Sequence, residues 1–317
     1  MKMTFNFGSF LSARSVMGDT MHELGQKHNN VWALTADTGG ALKNFKGDFP
    51  DRYIDVGVAE QNLAGIAAGL ALEGNIPFIA GMIPFMTMRA CEQNRTAICY
   101  QDLPVRFIGT GGGLTSGGGS THNAMEDISI MKSLVNMTVL SIGDPNMVGD
   151  IMILSMDYPH PLYIRLAQGK KDRMLYEPGT YTYKIGMGLT PRDGKDATII
   201  AHGEMVFEAL GAAETLASEG IDTRVIDMYS IKPLDTDLVY KAVKETQNIV
   251  VLEDHLMEGG LASTISDALA DGGVYPKNFK RLGIPQVYAG FGSGEEQRTK
   301  YGYDQAATVA AIKKMVK

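Results

Sequence analysis

The sequence predicts an α/β fold of two domains, each a mostly parallel sheet flanked by helices. Three observations carry that expectation. Short apolar runs alternate with amphipathic or small-residue helical stretches along the chain, the pattern of parallel strands covered by helices. The series is interrupted once, by the polar stretch GLTPRDGKD (188–196) with Pro191 and Gly194, and then restarts. The 317 residues, 44% hydrophobic and 21% charged, suffice for two cores.

In the first predicted domain (1–187), VWALTAD (31–37), PFIAGMI (77–83), PVRFIGT (104–110), MTVLSIG (137–143) and PLYIRLA (161–167) read as strands. Residues 60–73, 86–99 and 145–156 read as helices, and Pro145 suits a first helical turn, where a missing N–H costs nothing. In the second (188–317), ATIIAHG (197–203) leads to a helix over 204–219. That helix carries Val206, Ala209, Leu210, Ala213, Leu216 and Ala217 on one face and stops at Gly220. Strands DTRVIDM (222–228) and NIVVLED (248–254) and a helix over 260–271 come after it. The sequence shows no fixed-period repeat.

Composition narrows the function classes. No stretch approaches the roughly 20 apolar residues of a membrane span, and MKMTFNFGSFLSARS lacks the apolar block and cleavage site of a signal peptide, so a cytoplasmic protein without membrane contact is expected. Cys91 and Cys99 have no second pair to complete a metal site or a disulfide framework, and read as buried small hydrophobes. The net charge is −7 and no Lys/Arg stripe is interleaved with aromatics, which argues against nucleic acid; any anion must be held locally.

Two stretches carry candidate chemistry. In DVGVAEQNLAGIAAGLALEG (55–74), Glu60 stands where a strand stops and a helix starts. The helix dipole alone accommodates an acid there, favouring it by about 0.3–1 kcal/mol. The surrounding Gly57, Ala64, Gly65, Ala67, Ala68, Gly69 and Ala71 leave room for a close neighbour, which could be a helix, a subunit or a ligand. In TGGGLTSGGGSTH (110–122), six glycines in ten residues resemble a linker, yet they follow strand 104–110 directly, where open α/β sheets bind ligands. Glycines there let backbone N–H groups approach a ligand, and the loop ends at His122, with Glu126 and Asp127 close behind.

GVAEQNLAGIAAGLA (57–71), THNAMEDISIMKSLVNMTVL (121–140) and RVIDMYSIKPLD (224–235) resemble the C-terminal half of transketolases, and the likeness covers the whole chain. It implies a thiamine-diphosphate pyrimidine-binding fold over 1–187 followed by a transketolase C-terminal-like domain over 188–317. Transketolase-like chains usually run about twice this length, with a preceding domain that holds the diphosphate and Mg²⁺. No GDG followed by a suitably spaced asparagine occurs here. The resemblance therefore implies one subunit of a split transferase. It would move a two-carbon ketol unit from a ketose to an aldose only with an N-terminal partner subunit, which holds the diphosphate and Mg²⁺ of the thiamine diphosphate in an α2β2 heterotetramer.

Residue by residue, the resemblance implies that Glu60 hydrogen-bonds the N1′ nitrogen of the aminopyrimidine and so must carry a proton in part of the cycle. Asp37 in LTADTGG matches an acid near the cofactor. GMIPFMTMR (81–89) matches the segment around the pyrimidine, with Phe85 as the stacking aromatic. Met82 and Met88 fall where the family often has aromatics, with core packing an equal alternative. Arg14 in SARS and Arg165 in YIRLAQ match arginines that grip the sugar's anionic tail; a surface ion pair would explain either taken alone. His122 matches a histidine that contacts substrate hydroxyls and can move protons, while Glu126 and Asp127 shape the following turn and helix.

The sequence departs from the family where substrate is touched. Gly111 replaces a typical histidine, glycines at 117–119 replace an aspartate that contacts a donor hydroxyl, and Gly40 and Ala41 surround the position of a phosphate-binding serine. These departures imply an unusual donor, such as a ketose phosphate of different shape, a branched sugar phosphate or a sulfonated ketose. The β subunit of a 2-oxoacid dehydrogenase and deoxyxylulose-phosphate synthase share the two-domain plan, but THNAMED and SIKPLD favour transketolase. A non-catalytic binding module would have no use for Glu60. For the C-terminal domain no chemistry is expected; LEDHLMEGGLAS (252–263), with Glu253 and His255, reads as interface packing.

Overall fold

The computed structural model describes residues 9–115, 117–167 and 171–317. A short strand β1 (Phe10–Leu11) leads into helix α1 (Ala13–Lys27), whose first turn is capped by the Ser12 hydroxyl accepting from the Ser15 N–H. Next come β2 (Val31–Thr35), α2 (Lys43–Asp48), β3 (Tyr53–Asp55), α3 (Glu60–Leu72) and β4 (Ile76–Met82). Residues 85–99 are helical but not one regular helix: the turns at Phe85–Arg89 and Asn94–Cys99 widen to π geometry around a short α4 (Cys91–Gln93). This differs from the single helix expected over 86–99; within it Thr87 donates to the Ile83 carbonyl, and the buried Asn94 amide donates to the Met86 carbonyl and so ties the two wide turns together. β5 (Arg106–Thr110), α5 (Asp127–Ser133), β6 (Thr138–Ser141), α6 (Pro145–Leu154), β7 (Leu162–Arg165) and β8 (Asp172–Arg173) complete this part. Pro145 stands in the first turn of α6, as expected, behind the capping Asp144.

The remainder comprises β9 (Leu189–Arg192), β10 (Ala197–Ala201), α7 (Met205–Ser218), β11 (Thr223–Asp227), β12 (Ser230–Lys232), α8 (Thr236–Thr246) and β13 (Asn248–Leu256). It ends with α9 (Leu261–Asp271), β14 (Asn278–Ile284), α10 (Gly294–Tyr301) and α11 (Gln305–Met315). The first sheet has the order β12-β6-β7-β5-β4-β2-β3 and is parallel except at β12, which runs antiparallel along β6. The second sheet, β14-β13-β10-β11-β9, is parallel except at β9. β1 pairs with β8.

The central strands β5, β7 and β10 are buried at every residue, which is why they read as unbroken apolar runs: helices cover both faces of a parallel sheet. On one side Met17, Met21 and Leu24 of α1 pack with Met147, Val148 and Ile151 of α6, and this core continues into Val206 and Leu210 of α7. On the other, Leu63, Ala64 and Ala67 of α3 join Ile128 of α5, and the layer continues into Val239 and Ile265 of the second half. Cys99 is buried in this second layer, with its thiol pushed up to about 12 by desolvation, while Cys91 is half-buried. Among the described residues no helix is long and apolar enough to cross a membrane.

Candidate active site

Parallel strands end together, so the turns leaving them are gathered at one edge. Thr35 of β2 lies beside Asp55 of β3 and Ala80 of β4, Met82 lies beside Thr110 of β5, and Gly109 lies beside Arg165 of β7. Asp37, Glu60, Met82, Phe85, Gly111 and His122 all lie at or just after these ends. Asp55 ties two of the turns together, accepting from the N–H groups of Asp37 and Gly57, both at 3.0 Å. Asp37 is exposed and held at φ +57°, a left-handed conformation that aspartate tolerates better than most residues.

A cavity of about 600 Å³ opens at this edge, lined by Arg14, Asp37, Gly40, Met82, Thr110 and Gly111. Arg14 reaches it from α1 and donates to the Thr110 hydroxyl at 2.9 Å. Its Nε is buried without a partner. Burial lowers the proton affinity of this guanidinium, and Asp172 opposes that shift. Gly111 adopts φ +89° and donates to the Ala167 carbonyl at 2.7 Å, a conformation the histidine usual in transketolases would adopt only with strain. A Cβ at Gly40 would meet nothing within 4 Å, so glycine there enlarges the cavity rather than relieving a clash.

Glu60 is the first residue of α3 and only 5% exposed. It borders a small void lined by Leu63, Ala64, Met86, Ala90 and Phe107, an apolar wall on one side. On the other, Arg89 donates from Nη1 to Glu60 Oε2 at 2.5 Å. The same guanidinium lies 4.4 Å over the Phe85 ring centre. His122 meets that ring edge-on at 5.3 Å and shares a 2.9 Å hydrogen bond with the Thr121 hydroxyl. Arg89 thus joins the candidate acid to the candidate aromatic, a role the sequence reading missed: the two residues are 29 positions apart and belong to no periodic pattern.

The structure joins Glu60 and Phe85 through Arg89, with His122 against the Phe85 ring, and gathers Arg14, Asp37, Met82 and Gly111 around the cavity. It does not bring Met88 to either group; that side chain is 48% exposed on the outside of the wide turn. Along α3 the alanines are buried, whereas Gly65 and Gly69 face open space within this chain.

Arg165 departs from the expectation, and Asp127 does more than shape the turn and helix that follow it. Arg165, expected to grip an anionic tail, is 3% exposed at the end of β7. Its Nε donates to Asp127 at 2.8 Å, and its Nη2 donates to the carbonyls of Asp254 and Ala124. Burial pulls the guanidinium's proton affinity down, yet Asp127, Tyr163 and Asp254 together raise it above the usual arginine value. Asp127 is likewise 1% exposed and accepts from the Tyr163 hydroxyl at 2.7 Å, so it is the counter-ion of an interior brace as well as the first residue of α5. Nothing in the spacing of the two residues announces the pair. Glu126 folds back onto the Met125 N–H, with burial pushing its carboxyl up. Glu253 accepts from the Leu261 and Ala262 N–H groups and so caps α9. His255 contacts Ser129, and desolvation lowers its proton affinity.

The family description "Transketolase, pyrimidine binding domain" matches residues 10–171, and "Transketolase, C-terminal domain" matches residues 186–307. The chain is 34% identical over 313 residues to a putative transketolase C-terminal section of Methanocaldococcus jannaschii, covering 98% of each. It is 32% identical over 312 residues to an apulose-4-phosphate transketolase subunit of Phocaeicola vulgatus, covering 98% of this chain and 99% of that one. Among solved structures, a split-gene transketolase described as an inactive β4 tetramer superimposes with a TM-score of 0.86 at 35% identity, covering 98% and 99% of the two chains.

Proposed function

Because this chain belongs to the transketolase family, spanning its pyrimidine-binding and C-terminal domains, we propose that it is the C-terminal subunit of a split transketolase moving a two-carbon ketol unit from an anionic ketose to an aldose. The family depends on thiamine diphosphate. The observation that carries the reading is the buried carboxylate of Glu60 beside Phe85, at the edge where the Arg14 cavity opens.

These residues suit the pyrimidine end of the cofactor. A carboxyl set in an apolar wall offers one directed hydrogen bond, and an aromatic face stands next to it. When bound, thiamine diphosphate supplies the nucleophilic carbon and the electron sink for cleaving the bond next to a ketose carbonyl. Glu60 hydrogen-bonds the pyrimidine ring nitrogen, in competition with its pair to Arg89. Phe85 and Met82 bound the ring's site and exclude water, and Asp37 orients the loop after β2 at its margin. Arg14 turns its unpartnered Nε to the anionic tail of the donor. His122 hydrogen-bonds donor hydroxyls and holds a proton near them. Gly111 and Gly40 leave space where polar contacts to a common ketose phosphate would stand, which favours a donor of different shape, branched or sulfonated.

On this reading residues 1–187 form the pyrimidine-binding domain and 188–317 the C-terminal domain. The diphosphate and Mg²⁺ are held by a separate N-terminal subunit in a cytoplasmic α2β2 assembly. The deciding experiment is calorimetric titration of thiamine diphosphate with Mg²⁺ into this chain alone and into its complex with the N-terminal subunit, followed by a donor panel. Tight binding in the complex only, abolished turnover but retained binding in Glu60→Gln, and ketol transfer from an unusual donor are expected. Absence of binding in both samples would overturn the reading, pyruvate decarboxylation would reassign the reaction, and a clear preference for xylulose 5-phosphate would remove the altered donor.

A further inference from the structure

We infer that Asp254 is a positioning residue of the proposed active site: from the second sheet it fixes the glycine loop whose far arm carries His122. The inference rests on the functional reading above and gives the second half of the chain a part in it.

Asp254 lies on β13 and is 3% exposed. Its carboxylate accepts the Leu114 N–H with both oxygens, at 3.3 and 3.2 Å, and Oδ1 also accepts the Tyr303 hydroxyl at 2.9 Å. Leu114 belongs to the first arm of the loop, 140 positions away in sequence. Gly113 beside it adopts φ +69°, and a Cβ there would lie 1.9 Å from Asp254 Oδ2, so the loop is shaped to seat on this carboxylate. Its backbone also exchanges hydrogen bonds with Ala124, at 2.8 and 3.1 Å, joining the first arm to the second just beyond His122.

The second arm is held from the same half. The Ser120 hydroxyl donates to the Ala289 carbonyl at 2.6 Å, and the Asn123 amide reaches the same carbonyl at 3.5 Å. Gly119, at φ +71°, lies so close to the Phe291 ring that a Cβ would stand 2.8 Å from it. A Cβ at Gly118 would stand 2.7 Å from that of His122. The glycines that suggested a flexible linker thus let two arms lie flat against Asp254 and Phe291, and the fixed outcome is the edge-on contact of His122 with Phe85. The Leu114 N–H is shared between both carboxylate oxygens while Tyr303 fixes Oδ1, so several contacts together hold the carboxylate and the main chain, which suits a group placing a histidine by way of main chain rather than by touching substrate.

The test uses Asp254→Asn in the complex with the N-terminal subunit. This near-isosteric change turns one acceptor into a donor facing the Leu114 N–H. The expected result is a kcat lowered by about tenfold or more, the scale of a lost hydrogen bond to a charged group, with thiamine diphosphate affinity unchanged. Amides 112–114 and 119–124 should exchange faster, and His122→Ala should cost less when combined with Asp254→Asn than alone. Ser120→Ala, at an exposed side chain, keeps the test open if the first variant folds poorly; it should speed exchange in the second arm and lower kcat by a few-fold. Unchanged exchange, or losses from Asp254→Asn and His122→Ala that multiply independently, would overturn the inference. If the wild-type complex binds no thiamine diphosphate, the functional reading fails instead, and amide exchange on this chain still decides whether Asp254 holds the loop.

Discussion

Arg89 and Glu60 form an ion pair of 2.5 Å, Nη1 to Oε2, in which the acid is nearly buried and the arginine is 42% exposed on its side chain. On the proposed reading Arg89 competes with the pyrimidine nitrogen for this carboxyl. Replacing Arg89 by methionine is therefore expected to tighten thiamine diphosphate binding to the complex by roughly two- to fivefold, the range of a partly exposed pair of up to about 1 kcal/mol. Calorimetry checks this; weaker binding would assign Arg89 to the bound state instead.

Arg14 is expected to act on the donor alone. Arg14→Ala should raise KM for an anionic donor and lower kcat/KM by about 10- to 100-fold, as for a lost charge-assisted hydrogen bond. It should leave thiamine diphosphate affinity and turnover of an uncharged ketose donor such as erythrulose, which releases glycolaldehyde, unchanged. An equal loss with both donors would remove Arg14 from tail recognition.

Arg165 belongs to stability. Arg165→Met removes the charged partner of the buried Asp127, which costs about 3–5 kcal/mol in comparable buried pairs. Urea unfolding should show the midpoint falling accordingly. A variant of unchanged stability but raised KM would restore the substrate role.

Asp227 predicts a pH dependence. Burial, reinforced by Asp144, raises its carboxyl to about 7 against the opposing Tyr176 hydrogen bond, and its Oδ1 has no hydrogen-bond partner. The folded chain therefore holds a proton that the unfolded chain gives up near pH 4, and native stability falls as pH rises between about 4 and 7. Asp227→Asn should abolish that fall: equal melting temperatures for wild type and variant near pH 4, and a more stable variant at pH 8. A parallel offset at both pH values would remove Asp227 from the pH response.

The legible part of the fold is the buried part. β2, β4, β5, β7, β10 and β13 are continuous apolar runs because both their faces are covered, so composition alone marks them. β3 and β12 have three residues each, too few for a period, and β12 is recruited by an edge far back in the chain. Within 85–99 Asn94 bonds the carbonyl of Met86, eight residues back, a contact between two wide turns that no helical period reports. In the site, Glu60 is legible from its place where a strand gives way to a helix, whereas Phe85, Arg14 and Asp37 are legible only through the family resemblance. Arg89 and Asp254 act through partners 29 and 140 residues away, and such pairings exist only once the sheets are laid side by side.

The antiparallel run of β12 along β6 gives the chain a constraint on how it can be divided. The outer edge of the first sheet is closed by Ser230–Lys232, residues that come after the whole of β9, β10 and β11. A fragment ending near residue 187 would leave that edge of β6 with unpaired backbone groups, an invitation to strand-by-strand association with other copies. During synthesis the sheet likewise stays open until the ribosome has released residue 232. The polar seam at 188–196 is accordingly a poor place to cut for separate expression.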